Sequence, residues 1–451
     1  MARWALTLGA LVILTTVTAA EARTDAGDIL WQSQLDVAGG RDGAQAVAFD
    51  DGRVVVAGFA QISTGSFMFV VRAHDAKTGV LLWEDRFVPD LVNSLTVTGL
   101  TIDGQRVVMS GTGFDATFAN SQAVVRAYVP KTGAVAWTDK WSGLANGLAM
   151  QHTRVVVAGA IVDAAGGRHA LVRSYAAKTG TVQWDARPAL PAGFARESGG
   201  RVALHGKKAF VADIASKPAP FVDIVDGCLV RSYDLSDGTI LWESLHNESS
   251  FCDTTNVAAD SQAVFLSGRA GPGGDVYVAL AFDADTGGFL WSHRADSTPF
   301  FDAAMAVDIE RHIGFVIGWN FTIVPPGAGT VQRQALLLRA YDTRTGVLQW
   351  EDRYLTPGNC FCHGLDVAVQ NGRVFAFGKT TQGSDDWLGR VYDAKSGDLL
   401  WSNQFTAAPP GLLTSNAFGA ITVGGGRVFV ASSVWNENGN EDFMVRAYDA
   451  K

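Results

Sequence analysis

The stretch at residues 73–83, Ala-His-Asp-Ala-Lys-Thr-Gly-Val-Leu-Leu-Trp, constrains the fold more than anything else in the chain, because it is written again and again. It returns at 127–137, 174–184, 232–242, 281–291, 340–350 and 391–401, and the closing tryptophans stand 54, 47, 58, 49, 59 and 51 residues apart. That period is far too long for a heptad and suits a four-stranded propeller blade. An eighth copy is cut in two. The chain ends Val445-Arg446-Ala447-Tyr448-Asp449-Ala450-Lys451, the front of the motif, while Gly27-Asp28-Ile29-Leu30-Trp31 near the start matches Gly397-Asp398-Leu399-Leu400-Trp401. The expected fold class is therefore all-β, an eight-bladed propeller of four-stranded antiparallel blades. Its amino-terminal strand completes the last blade, which leaves no open sheet edge between first and last blades.

Alternation and turn signals divide the first unit into strands at 44–49, 53–58, 67–73 and 80–86, called A to D. The A–B turns (Asp51-Gly52, Asp103-Gly104, Asn371-Gly372) and the C–D turns of the Asp-Ala-Lys-Thr-Gly type are short and use hairpin chemistry. In an up-and-down blade both lie on one face. The B–C and D–A connections then share the other face, and they vary: 216–226, 247–255, 320–334, 356–363 and 406–415 differ in length and chemistry, as binding loops on a rigid scaffold do.

Residues 1–22 read as an export signal. Arg3 supplies the positive start, 4–17 an apolar run, and Ala20-Glu21-Ala22 a small-x-small cleavage pattern, giving a mature propeller of 23–451 in the periplasm or secreted. No transmembrane segment is expected in the mature chain. The formal charge of -9, without a Lys/Arg cluster, argues against a nucleic-acid partner.

The repeated Ala-x-Asp-x-x-Thr-Gly-x-x-x-Trp resembles the tryptophan-docking motif of the pyrroloquinoline-quinone (PQQ) type eight-bladed propellers. That group holds quinoprotein alcohol dehydrogenases and non-enzymatic relatives such as the propeller of the bacterial outer-membrane barrel-assembly machinery. The resemblance covers essentially the whole mature chain and implies docking roles for Trp31, Trp83, Trp137, Trp184, Trp242, Trp291, Trp350 and Trp401. Several of those dehydrogenases carry two adjacent cysteines beside the quinone; the nearest approach here is Cys360-Phe361-Cys362. Neither the family's calcium-binding set nor its catalytic aspartate is located in the sequence, and fold alone does not set activity.

Four cysteines in an oxidising compartment are disulfide candidates. They allow three pairings; the adopted one joins Cys228 to Cys252 and leaves Cys360 and Cys362 to each other. Cys360, Cys362 and His363 could instead offer two thiolates and an imidazole to zinc or copper, at a spacing that is not a standard one. A second set, Asp42, Asn93, Asn146, Asp253, Asp302, His363 and Asn416, falls just before the A strands, where the central funnel opens. Converging there, these groups could hold a cation or polar ligand; their alternative use is hydrogen bonding to loop backbone. Arg72, Arg126, Arg173, Arg231, Arg339, Arg390 and Arg446 repeat at one position of strand C, so none is a unique catalyst. Pairing with Glu84, Glu243 or Glu351 on strand D is expected.

Two function classes follow. The first is a non-catalytic binding or scaffold protein that takes a protein, peptide or small ligand on its loop face. The second is a dehydrogenase that oxidises an alcohol or sugar with PQQ and calcium, using Asp302 or Asp253 as base.

Overall fold

Short runs rich in Val, Ile and Phe, bounded by Asp, Gly and Thr, form strands, and among the described residues no helix forms. The computed structural model describes residues 27–450 apart from 38, 164–166, 195, 198, 218–223, 247–251, 271–275, 295–301, 324–331, 356–360, 382–384, 407–418 and 437. The export signal lies outside them, as does most of each variable loop. The chain opens with β1 (Ile29–Leu35). It continues through blade 1, formed by β2 (Asp42–Asp50), β3 (Arg53–Ser63), β4 (Ser66–Asp75) and β5 (Leu81–Phe87); the first three are longer than the alternation predicts, and β5 has the predicted length shifted by one residue. Blade 2 follows as β6 (Ser94–Ile102), β7 (Val107–Phe114), β8 (Ser121–Tyr128) and the first half of β9 (Val135–Gln151). That last strand departs from expectation. It runs on without a loop to become strand A of blade 3.

Eight blades result. β1 pairs antiparallel with the last strand, Glu441–Asp449, in the register Trp31 opposite Ala447 and Leu35 opposite Phe443, so the two chain ends share blade 8. Strand A of each blade touches strand A of the next, through all eight and back to the first. Eight apolar clusters occupy the eight blade boundaries, so the core lies between blades rather than within them.

The repeated motif builds each boundary. The indole N–H of Trp83 donates to Pro130 O of the next blade at 2.7 Å, and those of Trp31, Trp137, Trp184, Trp242, Trp291 and Trp350 find the equivalent carbonyl at 2.8 to 3.3 Å. Three residues beyond that carbonyl, the motif glycine lies under the ring. Gly133 has φ +69°, and a Cβ there would stand 2.6 Å from Trp83 Cδ2. Only glycine satisfies both the turn and the stacking. Tyr128, Tyr175, Tyr233 and Tyr392 add stacked rings against the preceding blade's tryptophan. Asp75 closes the C–D turn by accepting the N–H groups of Lys77 and Thr78.

The repeated arginines pair as expected in three blades: Arg72 with Glu84 at 2.9 Å, Arg231 with Glu243 at 2.6 Å and Arg339 with Glu351 at 2.5 Å. Arg173 pairs with Asp185 of its own strand D at 3.2 Å, and it and others reach back to the preceding blade as well. Arg173 meets Asp139 of the preceding blade at 2.9 Å, and Arg446 lies 3.7 Å over the Phe405 ring.

Blade 7 differs at one point. Strand C carries Gly389 where the other blades have Val71, Val125, Val172, Val230, Ala279, Leu338 and Val445, and a small cavity opens between Gly389, Trp401, Phe405 and Tyr448. The nearest atom to a Cβ there is 3.7 Å away. Gly389→Ala should therefore raise stability by about 1 kcal/mol, read as a higher denaturant midpoint at unchanged slope. Deleting residues 24–34 should abolish cooperative folding, because it removes the outer strand of blade 8; an unchanged melting curve would contradict closure by the amino terminus.

Candidate functional site: the mouth of the central channel

Apart from one parallel bridge between Phe361 of blade 7 and Gln334 of blade 6, strand A of each blade pairs with its own strand B alone, so its inner edge turns N–H and C=O groups toward the axis. Buried backbone groups need partners, and side chains of neighbouring blades supply them. Val97 N–H donates to Gln45 Oε1 at 2.8 Å and Ala145 N–H to Thr112 Oγ1 at 3.1 Å. Asn146 Nδ2 donates to Gly199 O at 2.6 Å, Arg201 Nε to Thr255 O at 3.0 Å and Thr255 Oγ1 to Ala304 O at 2.6 Å. Val369 N–H donates to Asp308 Oδ2 at 2.8 Å and Ile421 N–H to Asp366 Oδ2 at 2.9 Å. The last boundary is spanned by Arg41 and Glu441 at 2.8 Å. Seven boundaries are thus stapled at strand A, and the eighth by an ion pair that starts from strand C of blade 8.

This register sorts the funnel residues. A β-bulge interrupts strand A at Gln45, Asn146, Thr255, Met305 and Leu365. Asp42 and Asp302 each stand three residues before a bulge and are fully buried. Asp42 accepts the N–H groups of Val37 and, at 3.1 Å, of Gln61, fixing the approach to β2. Asn146 is itself a bulge residue and serves as a staple. His363 and Asp253 sit two before a bulge, out of step by one. His363 stacks on Trp319 at 4.5 Å, with Nε2 2.7 Å from Gln334 Oε1. Asn93 is exposed and donates to Gly65 O at 2.8 Å. Asn416 and the Asp253 side chain lie outside the described parts. Asp42, Asn93, Asn146 and His363 thus each serve a different local partner.

Cys228 is buried between blades 4 and 5 and is disulfide-bonded; the Cys252 side chain lies outside the described parts, so their pairing stays a proposal. Cys362 is buried between blades 6 and 7, and Cys360 is not among the described residues. Among those residues no group of three or more His, Cys, Asp or Glu is arranged to hold a metal ion.

The structure adds acids that alternation does not single out. Burial pushes the carboxyl of Asp366 up to about 7 and that of Asp308 up to about 6, each despite two backbone N–H donors. At the seam of blades 8 and 1, burial likewise raises Asp42 to about 7 and Asp442 to about 6, with Asp36 adding repulsion to both. Glu197 is buried and gripped by both terminal nitrogens of Arg231 at 2.8 Å. The visible signal for Asp308 and Asp366 was an acid inside an otherwise apolar strand A, in Ala-Val-Asp-Ile and Gly-Leu-Asp-Val.

Beside the seam, a cleft of about 240 Å³ opens between blades 1 and 2, lined by Arg41, Gln45, Phe59, Phe67, Ser94 and Thr96 among others. Among the described residues, this cleft and the channel beside it do not fit a calcium ion carrying an anionic quinone. The channel carboxyls Asp308 and Asp366 are occupied by backbone donors, burial raises both above the ordinary carboxylate range, and the sequence has no adjacent cysteine pair.

Eight four-stranded blades docked through tryptophan and closed by the amino-terminal strand define a PQQ-type propeller. The family model described as "Outer membrane protein assembly factor BamB" matches residues 15–171, 168–299 and 226–433, and the chain belongs to that family. Among solved structures, it is similar to the quinohemoprotein alcohol dehydrogenase ADHIIG of Pseudomonas putida HK5, with 13% identity over 91% of this chain and 76% of that one and a TM-score of 0.54. It is also similar to a europium-containing methanol dehydrogenase (10%, 90% and 91%, TM-score 0.52) and to the quinohemoprotein alcohol dehydrogenase of Comamonas testosteroni (12%, 90% and 75%, TM-score 0.52). At such identities the likeness establishes the fold alone. No curated protein matches the chain. No helix among the described residues is long and apolar enough to cross a membrane.

The raised carboxyls set the sign of the pH dependence. Each has a folded value above its ordinary 3.8, so the folded state keeps its protons longer and stability falls as pH rises from about 4 to 7, by up to about 1.4 kcal/mol per carboxyl per pH unit. The turn acids Asp75, Asp283 and Asp342 are lowered, and they weaken the fold only below the ordinary range. The urea midpoint should be higher at pH 5 than at pH 7.5; a rise in midpoint over that interval would refute the buried-acid account.

Proposed function

We propose that this chain is an exported, non-catalytic binding protein that holds its ligand or partner on the loop face of the propeller. The observation that carries the reading is a division of labour. The repeated tryptophans, glycines and arginines join blade to blade, and the channel acids staple strand to strand, whereas the cleft beside Arg41 is a concavity built from unrepeated residues. Loops that differ from blade to blade on a rigid ring suit recognition. Family membership adds support, since the matching model describes an assembly factor. On this reading residues 1–22 are removed on export to the periplasm or outside, 23–451 form the propeller, and Cys228 pairs with Cys252 beside the loop face.

The test is calorimetric titration of the mature protein with PQQ, with and without calcium, alongside a dye-linked dehydrogenase assay on alcohols and sugars. Neither saturable heat nor turnover is expected. Calcium-dependent binding with turnover would overturn the reading in favour of the dehydrogenase, and Asp302 and Asp253 would become its first mutants.

A further inference from the structure

The geometry points to a site for a small, neutral, polyhydroxylated molecule of monosaccharide size, in the cleft between blades 1 and 2 at the channel mouth. This rests on the chain being a loop-face binding protein and names what that face takes.

Size comes first. The cleft of about 240 Å³ has room for a small guest such as one sugar ring and not for a folded partner. The walls are of two kinds. On one side Phe59 and Phe67 meet edge to face, with centroids 5.7 Å apart and planes at 81°. Aromatic rings of this sort take up the C–H side of a sugar, which is apolar. On the other side runs β6 from Ser94 to Thr96, a strand that pairs only with β7 and so leaves the backbone groups of its inner edge for a guest. Gln45 stands beside it. Its Oε1 is committed to Val97 N–H, so its amide N–H groups are what it can offer. Donors and acceptors together match hydroxyls, which are both.

Charge then narrows the class. Arg41 lines the cleft, but its Nε is 2.8 Å from Glu441, whose side chain is only 3% exposed. The pair adds no net charge. With its charge neutralised by the buried Glu441 behind it, Arg41 gives an anionic guest little net attraction, and no acid lines the cleft to hold a cation, so a neutral guest is preferred. The same pair spans the seam between blades 8 and 1, which fixes one wall of the cleft to the closure of the ring.

The experiment uses the mature protein with glucose, galactose, N-acetylglucosamine and, as a charged comparison, glucuronate. Calorimetry reads affinity, and saturation-transfer NMR reads which ligand protons lie against the protein. At least one neutral sugar should bind, with transfer strongest to its ring C–H protons, and glucuronate should bind more weakly. Phe67→Ala should weaken binding about tenfold or more, Phe67→Tyr should keep it, and Phe289→Ala, on an exposed outer strand, should leave it unchanged. If Phe67→Ala does not fold, Ser94→Trp, which fills the cleft from its rim, takes its place and should abolish binding. Failure of all neutral sugars to bind, or binding untouched by the folded cleft variant, would overturn the site. The outcomes separate from those of the parent reading. An inert response to both sugars and PQQ rejects this site alone, whereas PQQ turnover rejects the non-catalytic reading itself.

Discussion

Everything in this molecule depends on one contact: a tryptophan ring laid on the glycine of the next blade, with its N–H given to the carbonyl three residues earlier. A propeller blade cannot bury both its faces alone, and its strands are too short and too apolar to stand in water. The docking contact settles distance and angle between neighbours together, because the glycine's positive φ shapes the turn and its missing side chain admits the ring. The tyrosine or histidine one residue before the motif aspartate then stacks on that ring, as His74 does on Trp31. With these contacts in place the valines of strands B and C fall into the gap between blades and become the core.

Seven of the eight contacts come from an unbroken motif; the eighth is assembled from both ends of the chain, and its chemistry differs. Trp401 packs on Gly27, where a Cβ would stand 2.9 Å from Cε3, so the amino-terminal segment does supply the missing glycine. Its indole N–H, however, finds no partner among the described residues, and the corresponding carbonyl, that of Ala450, accepts from Arg373 instead. A buried donor without a partner costs on the order of 1–3 kcal/mol. The cavity at Gly389 adjoins the same ring. The boundary between blades 7 and 8 is therefore the least complete one, and local opening of the ring should begin where it is closed by pairing rather than by continuous chain.

Fold was legible in the sequence because a repeat states the same physical requirement eight times, and the split copy even located the closing strand. Strand A of blade 4 was harder: Gly199 and Gly200 break its alternation, and it forms as two short pieces, Arg196–Glu197 and Arg201–His205. The site was less legible for a different reason. Proximity to strand A suggested one converging set, but a bulge shifts the count along the strand, and Asp42 and His363 turn out to be one residue out of step. Asp308 and Asp366 escaped notice because two-residue alternation classifies an inner-strand acid as solvent-facing. It says nothing about a sheet edge that needs acceptors.

That edge also decides where specificity can live. Eight strand edges around one axis make a wall of unpaired backbone groups, which would bind water or stray strands if left open. Here neighbouring blades satisfy them with Gln45, Asn146, Arg201, Thr255, Asp308 and Asp366, and these residues vary from blade to blade although the positions they serve recur. A channel lined this way is bound to ring assembly, since replacing any one of these side chains frees a buried donor or acceptor. Recognition is less constrained above it, at the mouth, where the chain enters strand A and where Phe67 and the start of β6 form a wall beside the staples of Gln45 and Arg41. The fold thus separates a seam that cannot change from a rim that can.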